Sequence, residues 1–395
     1  MLPTNPRRWP AIAVLHAYAA ALTLPAVAAA QDGRLPTAQP AVIERIPLAE
    51  PVAVIEAAYP LADGSVVVVA DPRSSEPIVF VIDSTGSSRR IGRKGEGPGE
   101  YQRINAGILL GDSIGLFERN ALRLTVLDIA TGRGRTEVLD HKRWPATGCV
   151  PDFVIPPGAV CRERLPQRQS GTVTIAVRWV PTDSRPENGA LLFEVRSDSS
   201  RFLRMRGGIV GLSRYLNWDQ RHNYSPSHRM LALLTQHRAG RTDSITISIT
   251  NLPTGLSSSW TLAIPTIRLT RAQRDQILDY ESSSVRRGAV IAGRPDEVPD
   301  RAALELAFDL PDALPVYRLI HVGDDGCSWL RRTSPILGKS DPFEYDVFDF
   351  SGRLLNSIRV AMPVMLSGVT CNDAIGILFE EDGEIGLVRI GTQPK

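Results

Sequence analysis

The sequence predicts an all-β fold, a six-bladed β-propeller, on three observations. Short runs rich in Val, Ile and Thr alternate with clusters of Gly, Pro, Asp and Ser, the pattern of strands and tight turns. One polar turn recurs between pairs of these runs. A second, DG-like turn recurs upstream of it, so a four-stranded unit repeats along the chain.

The runs are short and β-branched: Ser65–Ala70, Ile78–Ile82, Thr172–Val180 and Ser244–Thr250. The recurring turn reads Asp83-Ser84-Thr85-Gly86, Asp128-Ile129-Ala130-Thr131-Gly132, Asn251-Leu252-Pro253-Thr254-Gly255 and Asp349-Phe350-Ser351-Gly352, with a degraded copy at Asp198-Ser199-Ser200. In each clear copy the acid or amide can bond its own backbone, and Gly can supply a positive φ. Upstream lie Asp63-Gly64, Asp112-Ser113 and Asp325-Gly326, each followed by a strand-like run. The unit is therefore strand, turn, strand, loop, strand, turn, strand, which is a propeller blade.

Five copies of the turn give five blades. Val364–Thr370, Ala374–Glu380 and Glu384–Ile390 supply three strands of a sixth. The strand-like stretch Ala41–Ala49 has no blade of its own, and it is expected to close the sixth. The wide spacing from Asn251 to Asp349 holds a helical insertion near 270–312. Its helix opens at Thr270-Arg271-Ala272-Gln273, a capping box, and a second short helix is expected around Arg301–Ala307. Two stacked β-sandwiches would leave these spacings unexplained, and a doubly wound α/β fold needs helices between successive strands.

The first residues carry Arg7-Arg8, then a small apolar run from Ala11 to Ala30, then Gln31-Asp32-Gly33. This is the pattern of a secretory signal peptide cleaved after Ala30, with an uncleaved anchor as the alternative. The expected organisation is a signal peptide over 1–30, a short linker over 31–40 and the propeller over 41–395. The protein is thus expected to be secreted or periplasmic, with no transmembrane span in the mature chain. Lys plus Arg number 45 and Asp plus Glu 43; losing Arg7 and Arg8 leaves the signs balanced, so no global field draws nucleic acid.

Four cysteines in an exported chain suggest disulfides. Cys149 and Cys161 flank the turn Pro156-Pro157-Gly158 and are expected to face each other across a hairpin, leaving Cys327 and Cys371 to bridge neighbouring strands.

The segment Ile91-Gly92-Arg93-Lys94-Gly95-Glu96-Gly97-Pro98-Gly99-Glu100-Tyr101 resembles the Gly-rich G-P-G-E segment of secreted bacterial six-bladed propellers, distant relatives of NHL-repeat propellers. Gly323–Leu330, with its DG turn before Trp329, resembles a later blade of the same group. The resemblance implies a binding or sensor module, and a few related propellers are hydrolases or lyases.

A phosphate loop at Gly92–Tyr101 is disfavoured, because a β-run follows and two acids sit inside it. The densest aromatic and polar stretch, Tyr215–His228, is expected to connect blades three and four, and within it Trp218, His222 and Tyr224 are candidate ligand contacts. Asp152 and Asn105 are further inward candidates, joined in the metal-enzyme alternative by Asn223 and Glu56. No catalytic residue is assigned: no nucleophile elbow or zinc-protease motif occurs. The expected function is a ligand- or protein-binding module without a cofactor. The alternative is a divalent-metal hydrolase of the lactonase type holding Ca²⁺ in the central channel.

Overall fold

The computed structural model describes residues 35–392 apart from 49–50, 73–76, 141–143, 145–148, 166–171, 186–188, 199–201, 206–207, 212–219, 225–228, 240–241, 266, 292–299, 303–304, 306–312, 315, 334–342 and 381–383. The expected leader therefore lies outside the described residues, as do Ser199 and Ser200 of the degraded turn.

Six four-stranded antiparallel sheets form the blades of a β-propeller. Their innermost strands are Val52–Pro60, Ala106–Leu110, Val150–Ile155, Gln220–Tyr224, Tyr317–Val322 and Val364–Val369. The first five blades run from inside to outside in chain order. The sixth takes three strands from the C-terminal end and its outermost, Val42–Ile46, from the N-terminal end. Ile43 pairs with Ile390 there, in antiparallel register. This is the expected closure, and it gives the otherwise open edge strand Ile385–Gly391 a partner.

Within the stretch expected as a linker, residues 35–40 pack onto blade five. Gln39–Pro40 adds a parallel fifth strand beside Leu354–Val360. Ala38 is buried, and the Pro36 carbonyl accepts a 2.8 Å hydrogen bond from Arg332. The N-terminal segment thus grips two consecutive blades.

The recurring turn forms as its chemistry requires. Asp83 Oδ1 accepts from the Thr85 amide at 2.8 Å and the Ser87 amide at 3.0 Å, while Gly86 takes φ +85°. Asp128, Asn251 and Asp349 hold their own turns in the same way. The hydrogen bonds stabilise the ionised form, so the Asp83 and Asp128 carboxyls titrate below their ordinary value.

The core lies between blades rather than within one sheet. Blades four and five share Ile245, Ile247, Trp260, Tyr317 and Phe348; blades one and two share Tyr59, Val67, Tyr101 and Ile114. Alternating strand residues face the two neighbouring blades, so both faces of the inner strands are apolar. Each fully buried Ile, Leu or Val contributes roughly 1.5–3 kcal/mol relative to exposure.

The Gly-rich segment is a structural link between blades one and two. Glu100 accepts from the Gly97 amide at 2.8 Å and pairs with Arg93 at 2.6 Å, so an acid of the chain occupies the place an anion would take. The Gly97 amide first, then Arg93, draws the Glu100 pKa below its usual value.

The insertion carries one long helix, Arg271–Ile291, opened by the expected box: the Thr270 amide donates to Gln273 Oε1 at 2.9 Å, and Thr270 Oγ1 accepts from the Gln273 amide at 3.3 Å. The helix buries Ile277 against a small patch that includes Leu314, and Leu278 is buried as well. Arg301 pairs with Asp275 at 2.8 Å and Asp279 at 2.6 Å, tying the following segment to the helix.

Both disulfides form, at Cys149–Cys161 and Cys327–Cys371. The first crosses the blade-three hairpin. The second corrects the expectation of neighbouring strands: it joins the turn after the innermost strand of blade five to the equivalent turn of blade six. Among the described residues no helix is long and apolar enough to cross a membrane.

Candidate functional site

The innermost strands converge on an axial channel, and four of them carry a one-residue bulge. The ladder skips Glu56, and nearer the strand's start Ala53, in blade one, Asp152 in blade three, Arg318 in blade five and Ser367 in blade six. A bulge interrupts the two-residue alternation and re-aims a side chain without disturbing the flanking core residues. The polar positions Glu56, Asp152 and Ser367 all line one mouth of the channel, a cavity of about 440 Å³. Asn105, Arg119, Arg162 and His321 line it as well, beside the apolar Phe153, Met365 and Leu366.

Asp152 is the hub of this mouth. Arg119 Nη2 approaches Asp152 Oδ1 at 3.3 Å, and Arg162 contacts both oxygens, at 2.7 Å and 2.5 Å. Arg119 is fixed further by its Nε, which donates to the Pro151 carbonyl at 3.1 Å, and by its amide, which donates to Asn105 Oδ1 at 2.9 Å. His321 enters from blade five, where burial and then Arg331 push its pKa down to about 4. The ring is neutral at pH 7, with one nitrogen donor and one acceptor.

Tyr59 forms the waist of the channel. Its phenol donates to the Gly107 carbonyl of blade two, and burial, with Asp324 adding to it, raises its pKa, so it stays protonated. Ser367 Oγ accepts the Ala58 amide at 2.7 Å, linking blade six to blade one. Beyond the waist a second mouth of about 450 Å³ is lined by Asp324, Asp325, Asp373 and Arg389. Asp373 is engaged by Arg389 at 2.8 Å and Thr370 at 2.6 Å.

Asp152 and Asn105, singled out from sequence, do share the first mouth, and so does Glu56. His222 and Tyr224 correct the expected placement: they belong to the innermost strand of blade four, with His222 opposite Leu233, rather than to a connecting loop. Trp218 lies outside the described residues. Sequence reasoning did not find Arg119, Arg162 or Ser367. Arg119 directly follows the buried strand Ser113–Glu118, a usable signal, whereas nothing in the alternation marks the bulges.

A calcium cage needs six to eight oxygens free to coordinate. Here both Asp152 oxygens face guanidinium groups, and Asn105 Oδ1 accepts the Arg119 amide, so these two residues are engaged within the protein. Asp325, Cys327 and Cys371 also cluster with ligand atoms within 4.8 Å, but both sulfurs are spent in a disulfide.

No family model and no curated protein sequence matches this chain. Among solved structures, a Bacteroides fragilis NCTC 9343 protein named as exported is similar over 90% of this chain and 95% of its own, at 8% identity and a TM-score of 0.41. Regucalcin from Agrobacterium tumefaciens str. C58, named as calcium-binding, is similar over 91% of this chain and 98% of its own, at 11% identity and a TM-score of 0.33. The CNH domain of AfRom2 covers 89% of this chain with 100% of its own, at 9% identity and a TM-score of 0.31.

Proposed function

We propose that this protein is a secreted or periplasmic binding module, of the kind its Gly-rich segment resembles, and that it takes its ligand at the channel mouth lined by Glu56, Asn105, Arg119, Asp152, Arg162 and His321. The observation that carries this reading is the set of polar bulges on separate blades, Glu56, Asp152 and Ser367, that open onto one cavity. Concave cavities with a few convergent polar groups are the usual ligand sites. Two disulfides fit an oxidising compartment.

The test is a thermal-shift screen of small molecules and short peptides against the wild type and Met365→Trp. Met365 lines the mouth and is half exposed, so the indole fills the cavity without entering the core. Compounds that stabilise the wild type should lose their effect on the variant. Hits that act equally on both would place binding elsewhere. The metal-hydrolase reading predicts a stabilising shift on adding Ca²⁺ alone; the engaged oxygens of Asp152 and Asn105 predict none.

A further inference from the structure

We infer that the protein pairs with a second copy of itself through the outer edge of blade four, the strand Ser257–Ile264. This edge differs from those of the other blades. Its eight residues carry no charge and no proline, and they run in unbroken antiparallel register beside Thr242–Asn251. Elsewhere the outer edge is short and basic at Ser88–Arg90, or charged at Gly134–Val138 and Val42–Ile46. At Ala190–Asp198 it is charged and shifted in register, and at Leu354–Val360 it is partnered by Gln39–Pro40. Short length, charge, bulges and cover are the usual guards against strand-to-strand association, and among the described residues blade four shows none of them.

The backbone of this edge is open on its outer side. The Asn251 amide donates to the Leu256 carbonyl at 2.8 Å, which sets the alternation of the ladder. Ser258, Trp260, Leu262 and Ile264 therefore bond inward, while the amides and carbonyls of Ser257, Ser259, Thr261 and Ala263 point outward from the edge. Those four residues are exposed, whereas Trp260, Leu262 and Ile264 are buried in the core shared with blade five.

The strand is also complementary to itself. A twofold axis normal to the sheet at the level of Trp260 sets Ser259 opposite Thr261 of the second copy, and Ser257 opposite its Ala263. Blade four already joins its own strands by such pairs: Thr246–Thr261, Ser248–Ser259 and Thr250–Ser257 each lie at 3.0 Å. One hydroxyl of each pair donates, and the acceptor keeps its proton for a further bond. Cross-strand Ser and Thr pairs are favourable, and an uncharged edge brings no like charges together. A foreign strand would have to supply this pattern, whereas a second copy has it by symmetry.

Sedimentation velocity across a dilution series tests the contact. One pair of strands is smaller than a standard interface, so the wild type should shift from monomer towards dimer only as its concentration rises. Ser259→Lys/Thr261→Lys sets lysines opposite each other twice and should weaken the dimer by about tenfold or more. Ser259→Lys/Thr261→Glu sets each lysine opposite a glutamate of the second copy and should restore it. Thr261→Pro removes an outward amide that the inner ladder does not use, and it should also weaken the dimer. Thermal unfolding at low protein concentration checks that each variant keeps the fold. A wild type that stays monomeric at every concentration would overturn the proposal and leave the edge to an extended segment of another protein. So would an unchanged lysine pair, or a lysine–glutamate variant as weak as the lysine pair. The channel reading, tested by Met365→Trp, does not depend on this outcome.

Discussion

The carboxylate of Asp325 in blade five accepts the amide of Cys371 in blade six at 2.7 Å, while its other oxygen accepts the amide of Cys327 at 3.0 Å. One side chain thus holds both backbones at the disulfide that joins them, and the Trp329 indole adds a 2.7 Å bond to the Thr370 carbonyl alongside. The contact sits where the chain begins its last blade, which the N-terminal strand must then complete. The bridge spans 44 residues, and loop-closure entropy assigns a crosslink of that span about 4 kcal/mol. The 12-residue Cys149–Cys161 loop merits about 3 kcal/mol on the same relation. Denaturant unfolding of the Cys327→Ala/Cys371→Ala and Cys149→Ala/Cys161→Ala pairs should show the first as the more damaging. The reverse order would mean that the inter-blade contact survives without its crosslink.

Asp346 is fully buried in blade five and has four partner contacts: Arg332 on both oxygens at 2.8 Å and 2.6 Å, Tyr317 at 2.6 Å, and Ser357. Arg332 also holds Glu344 and the Pro36 carbonyl, so the same group fastens the N-terminal segment. Removing one member leaves a buried charge uncompensated. Asp346→Ala should therefore cost about 3–5 kcal/mol in chemical denaturation. Arg332→Lys keeps the charge but loses the fork, and should fall between the wild type and that variant. If Asp346→Ala cost under 1 kcal/mol, the network would not be structural.

The blade count, the closure and the helix start were legible because each depends on local chemistry repeated or capped in sequence. Asp83 and Gly86 announce their turn, and Thr270 with Gln273 announce the helix. The site was only half legible. Asp152 and Asn105 stand out as polar residues beside apolar runs, but their mouth depends on bulges that shift register by one residue, and on Arg162 reaching across from a second strand. Such choices are made by packing against neighbouring blades, which a one-dimensional pattern does not record. The grip of residues 35–40 on blade five was missed for a related reason: Gln39-Pro40 is too short to read as a strand, and it pairs because Leu354–Val360 offers an edge.

Two glycines with the same backbone sign should respond differently to alanine. Gly99 has φ +76°, and a Cβ there would meet the Gly134 carbonyl oxygen at 2.9 Å, where the inter-blade link crosses the outer strand of blade two. Gly111 has φ +66° with nothing within 4 Å. Gly111→Ala pays only for the left-handed backbone, about 1 kcal/mol. Gly99→Ala adds a backbone clash that no side-chain rotation relieves, and should cost at least about 2 kcal/mol more. Thermal unfolding of the two variants measures the difference directly, and equal shifts would mean that the link can move away from the blade.

His321 makes the channel sensitive to acid. Its folded pKa is about 4 against an ordinary 6.5, because burial and Arg331 oppose the imidazolium. Between those values the unfolded chain binds a proton that the folded chain refuses, so stability falls as pH drops from 6.5 towards 4 and the loss is complete below 4. Between pH 7 and pH 5 the expected loss from this one group is about 2 kcal/mol. The lowered Asp63, Asp83, Asp128 and Asp349 carboxyls act in a separate window. Their stabilisation is present above their unfolded value of 3.8 and disappears only as pH falls further. Urea unfolding of the wild type and His321→Gln at pH 7 and pH 5 separates the two effects. The variant should lose less stability across that interval by about the stated amount. An identical loss in both proteins would mean that the ring is protonated in the folded channel.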